Sequence, residues 1–191
     1  MKVAIALLLA IAGASPALCA EFPTRMHPVD ADVSVCFTPG ENCQSEIVQA
    51  INGAEKQIRV QAYGFTSLPI LQALQQAISR GVDVELALDK SDAFGKDKQP
   101  KLDGPAASMV AAGAKVWIDD HPGIAHNKVI VIDGWETIGG SFNYTKSAAT
   151  RNRENVTFIS SPDIASAFLA NWEARRAVSE PFVFTSPQGL Q

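Results

Sequence analysis

The stretch QIRVQAYGFTSLPILQALQQAISRGVDVELAL, residues 57–88, decides the fold class. Apolar and polar side chains alternate over 57–63, which predicts a β-strand. Apolar residues recur at helical spacing over 68–80, and Gly81 follows as a stop signal, so this segment is predicted to be a helix. Residues 82–88 form another apolar strand. A strand, a crossover helix and a second strand favour parallel pairing of the two strands.

The rest of the chain repeats this alternation of strands and helices. It predicts a single α/β domain with a mixed or largely parallel β-sheet flanked by helices on both faces. Residues 90–103 are polar and dotted with lysines, which indicates a surface loop. The remaining predicted strands cover 32–37, 116–118, 126–133, the hairpin partner beginning at 137–138, 155–160 and an edge strand at 181–184, and the remaining helices cover 45–54, 105–112 and 162–177.

The N-terminus is predicted to be a secretory signal peptide over residues 1–20, leaving 21–191 as the functional domain. Lys2 supplies a positive start, an apolar run follows, and small residues close the segment with cleavage after Cys19 or Ala20. The apolar run is too short to span a bilayer, so we expect no stable membrane insertion. The mature protein is expected in the periplasm or outside the cell.

Two cysteines, Cys36 and Cys43, remain after the leader and are separated by a turn. Export into an oxidising compartment favours a disulfide between them, and two free buried thiols are the alternative.

The net charge disfavours tight non-specific binding of nucleic acid. The whole chain has a formal charge of −4, and loss of Lys2 with the leader makes it −5. Nucleic-acid-binding domains are usually basic, so a polyanion would need a locally basic cleft.

A second informative stretch is HNKVIVID at 126–133, followed by GGSFN at 139–143. Side chains on a strand repeat their direction every second residue, so the histidine and lysine share a face while Asp133 points away and is assigned a structural role. Glycines permit close backbone approach, and cationic and neutral donors suit a phosphate. The residues concerned are His126, Lys128, Gly139, Gly140, Ser141 and Asn143.

This pattern resembles the H-x-K-x4-D-x6-G-S-x-N signature of the phospholipase D superfamily. Six specified positions within residues 126–143 match without departure: His126, Lys128, Asp133, Gly140, Ser141 and Asn143. The single copy, the short chain and the leader resemble the small exported bacterial endonucleases of this superfamily. Glu154 is similar to the acidic position that follows the signature in those proteins.

The resemblance implies a covalent mechanism. His126 attacks phosphorus and forms a phosphohistidine, and a second histidine protonates the leaving oxygen. Lys128 and Asn143, with Ser141, neutralise the non-bridging oxygens. Glu154 orients the His126 imidazole. No metal or other cofactor is implied.

The mechanism needs two histidines, whereas the chain carries one signature. Neither His27 nor His121 lies in a second copy. The simplest solution is a symmetric homodimer that places His126 of each subunit in one shared site.

A metal centre is the rival interpretation of the histidine region. Asp119, Asp120, His121 and His126 could together hold a divalent ion, although Lys128 would repel it.

Two groups of basic residues lie near the signature or elsewhere on the surface. Lys146, Arg151 and Arg153 are candidates for contacting flanking phosphates. A second group could guide substrate or be a solvated surface run: Lys90, Lys96, Lys98 and Lys101.

Three functions are compatible with these residues. The first is an exported endonuclease that cuts DNA, and also RNA, with little sequence preference. The second is a phospholipase D-type hydrolase of phospholipid headgroups. The third is a catalytically silent phosphate- or nucleic-acid-binding protein, which the intact His126 and Lys128 disfavour.

Overall fold

The computed structural model describes residues 29–183. The predicted signal peptide, residues 1–20, and His27 lie outside the described residues.

One mixed sheet of eight strands forms the centre of the domain, in the order β1-β7-β6-β5-β2-β3-β4-β8. The strands are β1 (Asp32–Thr38), β2 (Gln57–Ala62), β3 (Asp83–Asp89), β4 (Lys115–Asp119), β5 (Val129–Ile132), β6 (Glu136–Gly140), β7 (Glu154–Ser160) and β8 (Glu180–Pro181).

The parallel part of the sheet is confined to β2, β3 and β4, which are joined by crossover helices. The neighbouring strand β5 runs antiparallel to β2, and β6, β7 and β1 continue antiparallel from there. The mixed sheet predicted from the sequence is therefore confirmed. The reversal at β2–β5 brings the start of β5 beside the carboxyl end of β2.

Six helices within residues 29–183 cover the sheet. They are α1 (Cys43–Gly53), α2 (Leu68–Ser79), α3 (Lys90–Ala93), α4 (Pro105–Ala111), α5 (Lys146–Thr150) and α6 (Pro162–Arg176).

The helices bury two apolar clusters, one against each face of the sheet. The larger cluster joins the sheet to α1, α2, α4 and α5 through residues such as Ile47, Leu74 and Met109. The smaller cluster packs Val129 and Val131 of β5 against α6. Helices therefore lie on both faces, as predicted.

Helix α6 is also fastened to the sheet by a polar contact. The Trp172 indole Nε1 donates to the Val60 carbonyl oxygen at 2.9 Å. The Trp172 ring meets Trp117 edge-on, with ring centroids 5.8 Å apart. Both tryptophans thus contribute to the packing of α6 against the sheet.

Three segments differ from the prediction. Strand β5 begins at Val129, so residues 126–128 are irregular backbone leading into the strand. The segment 90–103 opens with helix α3, because Asp89 caps it by accepting from the Ser91 N–H at 2.9 Å. Strand β8 pairs with β4 at the far edge, starting and ending earlier than the predicted strand at 181–184.

The predicted disulfide is confirmed between Cys36 and Cys43, which joins the end of β1 to the start of α1. Within residues 29–183, no helix is long and apolar enough to cross a membrane.

Candidate active site

The site forms where the carboxyl end of β2 meets the segment entering β5. Tyr63 follows β2, and its ring centroid lies 4.9 Å from that of His126. Lys128 Nζ lies 5.3 Å from the same Tyr63 ring centroid. The tyrosine therefore contacts both His126 and Lys128 and restricts where the exposed His126 imidazole can lie.

Lys128 is a buried cation, with 6% of its surface exposed. Its Nζ donates to the His126 carbonyl oxygen at 2.6 Å, and it forms no ion pair with any carboxylate of the described residues. Burial lowers the pKa of the Lys128 ammonium, and the nearby charge of Glu154 opposes that effect. A buried ammonium without a counter-charge is costly unless an anion joins it.

Asn143 provides a second incomplete polar group. Its Oδ1 is buried and has no hydrogen-bond partner. Gly64 lies against it, since a Cβ added to Gly64 would come within 3.6 Å of Asn143 Cγ. Rotation of the amide exchanges Oδ1 and Nδ2, so the side chain can present a donor to a bound oxygen.

The two motif glycines explain how the backbone packs here. Gly140 has a φ of 149°, and a Cβ at this position would overlap the Asn155 carbonyl oxygen. A Cβ on Gly139 would lie 3.6 Å from the Lys128 carbonyl oxygen, so the hairpin partner runs close beside the lysine. Glycine at 140 is required by both conformation and space.

Ser141 links the hairpin to the start of β7. Its Oγ donates to Glu154 Oε2 at 2.6 Å and accepts from the Asn155 N–H at 3.1 Å. The other carboxylate oxygen, Glu154 Oε1, accepts from Asn152 Nδ2 at 2.8 Å.

These contacts place Glu154 beside Ser141 within one chain, and its role in orienting His126 stays a prediction. The described residues include no hydrogen bond between the Glu154 carboxylate and the His126 imidazole. Glu154 instead holds Ser141 and lies close enough to influence Lys128 electrostatically. The reason is topological, because β6 separates β7 from β5 in the sheet.

Asp133 lies in the hairpin turn after β5, with a φ of 53°. Its carboxylate accepts from the backbone N–H groups of Glu55, Lys56 and Gln57 at 2.9, 2.8 and 2.8 Å. Burial tends to raise the pKa of Asp133, but these three donors lower it overall below the ordinary value. The residue thus joins the β5–β6 turn to the start of β2, away from His126.

Two buried aspartates hold the loops around the site. Asp92 accepts from the N–H groups of Gly64 and Phe65 at 3.0 and 2.9 Å, and burial raises its pKa. Asp89 accepts from the Ala125 N–H at 2.8 Å, immediately before His126. Both sides of the site are thereby tied to the end of β3 and to α3.

A cavity of about 240 Å³ opens beside His126. His121 lines it too, with its Nδ1 3.3 Å from Asp119 Oδ1. Arg175 of α6 lines the other side, 3.9 Å from Asp119 Oδ2. Gln61 and Asn127 also line the cavity, and Asn127 Nδ2 donates to Gln61 Oε1 at 2.7 Å.

The residues of the rival metal centre do not converge. Within residues 29–183, the only set of three potential ligand side chains in close mutual reach is Cys36, Glu41 and Cys43, and its two cysteines form the disulfide. Asp119 pairs with His121, whereas Asp120 lies 3.6 Å from Lys90 Nζ.

The predicted phosphate-contacting cations remain on the surface. Lys146 begins α5, and Arg151 Nη2 donates to Ser147 Oγ at 2.6 Å. Arg153 is exposed next to Glu154. None of the three contacts His126 or Lys128 among the described interactions, so their role in substrate binding remains a prediction.

Tyr63, Asp89 and Asp92 are site residues that the sequence reasoning missed. Tyr63 was expected only as the last residue of a strand. Its position at the carboxyl end of a predicted strand, just before Gly64, could have indicated that Tyr63 lies at the site. The two aspartates act across long sequence separations and could be found only once the pairing of β2, β3 and β5 was known.

Comparison with known proteins agrees with this geometry. Residues 47–175 match the family model described as "Cardiolipin synthase, PLD-like domain". The chain belongs to the phospholipase D family. It is 45% identical over 154 residues to a protein named phospholipase D from Rickettsia prowazekii, covering 81% of this chain and 72% of that protein.

More distant family members are similar over comparable lengths of this chain. The human protein named mitochondrial cardiolipin hydrolase is 29% identical over 140 residues, covering 72% of this chain and 53% of that protein. The crystal structure of Nuc from Salmonella typhimurium, a phospholipase D family member, superposes with a TM-score of 0.72 at 32% identity. It covers 81% of this chain and all of Nuc.

Replacing Asp133 with Asn should destabilise the fold, because three backbone N–H groups lose their charged acceptor. We expect the free energy of unfolding at neutral pH to fall by about 1–3 kcal/mol in urea titrations. The lowered pKa means that this stabilisation is complete above the ordinary aspartate pKa of 3.8 and is lost as pH falls through the folded-state value.

The difference between wild type and the Asp133→Asn variant should therefore shrink on acidification. Asp32→Asn, at an exposed aspartate with no side-chain hydrogen bond among the described residues, is the matched control and should unfold like wild type. Equal stability of wild type and Asp133→Asn at neutral pH would contradict this role.

Proposed function

We propose that this family member is an exported endonuclease: a metal-independent phosphodiesterase that hydrolyses DNA, and also RNA, through a covalent phosphohistidine at a site shared by two subunits. The observation that carries the proposal is the buried Lys128 ammonium, which lies beside His126 without a carboxylate partner. Asn143 adds a buried polar group that lacks a hydrogen bond. The Lys128 ammonium, and the Asn143 Nδ2 once the amide is rotated, can both donate to the anionic oxygens of a phosphodiester.

The chemistry follows from these groups. An imidazole nitrogen of His126 attacks phosphorus, so that a P–N bond forms as the P–O bond to the leaving group breaks. A second histidine gives its proton to that leaving oxygen. Water, deprotonated by the same histidine, then attacks phosphorus and releases His126. Lys128 and Asn143 stabilise the charge on the non-bridging oxygens, without the need for a metal ion.

The homodimer supplies the second histidine in this proposal. An apolar row on one face of the edge strand β1 supports it, since Val33, Val35 and Phe37 are 58%, 47% and 57% exposed. The row ends near the site, because Phe37 and Thr38 pair with Asn155 and Glu154 of β7. A second copy covering this row would bring Glu154 and Ser141 of each subunit towards its partner, where Glu154 can orient the other His126.

Export is supported by the signal-like residues 1–20 and by the disulfide, since disulfides persist in oxidising compartments.

A phospholipid substrate is the second candidate. It is favoured by the names of the relatives, phospholipase D in Rickettsia and mitochondrial cardiolipin hydrolase in humans. The amide side chains of Gln61 and Asn127 in the lining of the cavity beside His126 instead suit a nucleotide or another polar leaving group. We therefore place nucleic acid first.

Plasmid DNA and phosphatidylcholine vesicles, each offered with excess EDTA, should separate these functions. The purified mature protein is expected to nick the plasmid, and His126→Ala should lower the rate by at least about a thousandfold, because the nucleophile is lost. His121→Ala is the matched histidine variant and should lower the rate of plasmid nicking much less.

Lipid turnover with intact plasmid would move the assignment to a phospholipase. DNA cutting abolished by EDTA would contradict the phosphohistidine mechanism. Equal losses for His121→Ala and His126→Ala would contradict a second histidine supplied by the partner subunit. Binding of DNA that persists without turnover in wild type would support the silent binding protein.

Replacing Phe37 with Asp should disrupt the proposed dimer and abolish turnover together, because a charge enters the apolar row. Light scattering after size-exclusion chromatography measures the mass, and plasmid nicking measures activity. Leu68→Asp, at another exposed apolar residue, is the control and should remain dimeric and active. A Phe37→Asp monomer with full activity would contradict the shared site.

A further inference from the structure

A second concave surface lies outside the catalytic residues, at the segment after β3. We call it the lysine groove. It has a volume of about 680 Å³ and one acidic side chain in its lining, that of Asp120. Its other lining residues are Lys90, Ser91, Phe94, Gly95, Lys96, Lys98 and Lys101.

The four lysines divide into two anchored and two unpaired ammonium groups. Lys90 Nζ donates to the His121 carbonyl oxygen at 2.8 Å, and Lys101 Nζ donates to the Ser91 carbonyl oxygen at 2.6 Å. Among the described interactions, the side chains of Lys96 and Lys98 form no hydrogen bond and no ion pair. The ammonium groups of Lys96 and Lys98 are therefore available to bind a ligand, while Lys90 and Lys101 are held against the backbone of the groove.

Of the nearby aspartates in the described residues, Asp120 lines the groove and pairs with Lys90 Nζ at 3.6 Å, which offsets one of the four lysine charges, and the others do not neutralise it. Asp89 and Asp92 are buried and accept hydrogen bonds from the backbone on the active-site side. Asp97 Oδ1 accepts from the Gln99 N–H at 3.2 Å and does not line the groove. The groove is thus a locally basic surface on an acidic chain, which is what binding of a polyanion requires.

The groove adjoins the catalytic cavity across a single loop. Asp120 lines the groove, whereas the neighbouring residues Asp119 and His121 line the cavity that contains His126. The Lys90 contact to the His121 carbonyl oxygen ties the two walls together. A chain-like ligand can therefore extend from one depression into the other.

We propose that the lysine groove binds the sugar-phosphate backbone of a nucleic acid strand whose scissile phosphate lies at His126. This inference rests on the proposed nuclease function and deepens it. Backbone phosphates contacted by lysines add affinity without reading sequence. The concave shape suits a strand better than a flat membrane, and the Phe94 ring is held in the wall by Phe182, 6.1 Å away between centroids.

The test uses the double variant Lys96→Gln/Lys98→Gln, which removes the two unpaired ammonium groups and leaves the anchored ones. The control is Lys56→Gln/Lys115→Gln, which removes two exposed lysines outside the groove. Each protein is assayed with a single-stranded DNA oligonucleotide and with bis(p-nitrophenyl) phosphate, a diester too small to reach the groove. Both assays are repeated over a range of salt concentrations.

We expect the groove variant to raise KM for the oligonucleotide roughly tenfold at low salt, with kcat nearly unchanged. The slope of log kcat/KM against log salt should fall by about 0.7 for each lost phosphate contact. Turnover of the small diester should stay close to wild type, and the control variant should behave like wild type with both substrates.

An unchanged KM for the oligonucleotide would overturn the inference, as would equal losses on both substrates. Failure of the proposed function has a different signature, because wild type would then leave the oligonucleotide uncut, whether or not it turns over the small diester. Fluorescence anisotropy of the labelled oligonucleotide would still measure binding in that case. Equal affinity of wild type and the groove variant for the oligonucleotide would then contradict binding of nucleic acid in the lysine groove. If the groove variant bound phosphatidylglycerol vesicles more weakly than wild type but bound the oligonucleotide equally well, the groove would be a membrane-binding surface, and the inference would be wrong.

Discussion

A buried ammonium without a carboxylate partner is the constraint on which the site depends. Lys128 lies in the wall of the site, its Nζ held by the His126 carbonyl oxygen, and no ion pair with the described residues offsets its burial. Such a group lowers the stability of the free protein and is stabilised when an anion joins it. Lys128 precedes β5 two residues after His126, whose exposed imidazole is the proposed nucleophile, so an anion bound at Lys128 would lie close to it.

The sheet topology explains why this arrangement can be held in place. The antiparallel approach of β5 to β2 sets Tyr63 against His126 and Lys128, and Gly140 lets the hairpin pass close to Asn155. Asp133 fastens the other end of the same hairpin to the backbone before β2. The signature thus contains residues with proposed chemical roles and residues, such as Asp133 and Gly140, that fix the strands carrying them.

Much of the fold was predictable, because strand and helix periodicities are local properties of the sequence. The six signature residues were predictable too, since their spacing is specific. Residues whose roles arise from distant pairing were not: Asp92 reaches Gly64 from 28 positions away, and Asp89 reaches Ala125 from 36. Among the described residues of one chain, Glu154 and His126 form no hydrogen bond. Their spacing in the sequence could not reveal that β6 lies between β7 and β5 in the sheet.

The most direct test of the account is to trap the covalent intermediate. The protein would be mixed with DNA, quenched under denaturing alkaline conditions that preserve phosphohistidine, and digested for mass spectrometry. The account predicts a nucleotide joined through phosphate to the peptide containing His126, appearing before product and absent from the His126→Ala variant. Turnover without any adduct, or an adduct on another residue, would contradict His126 as the nucleophile.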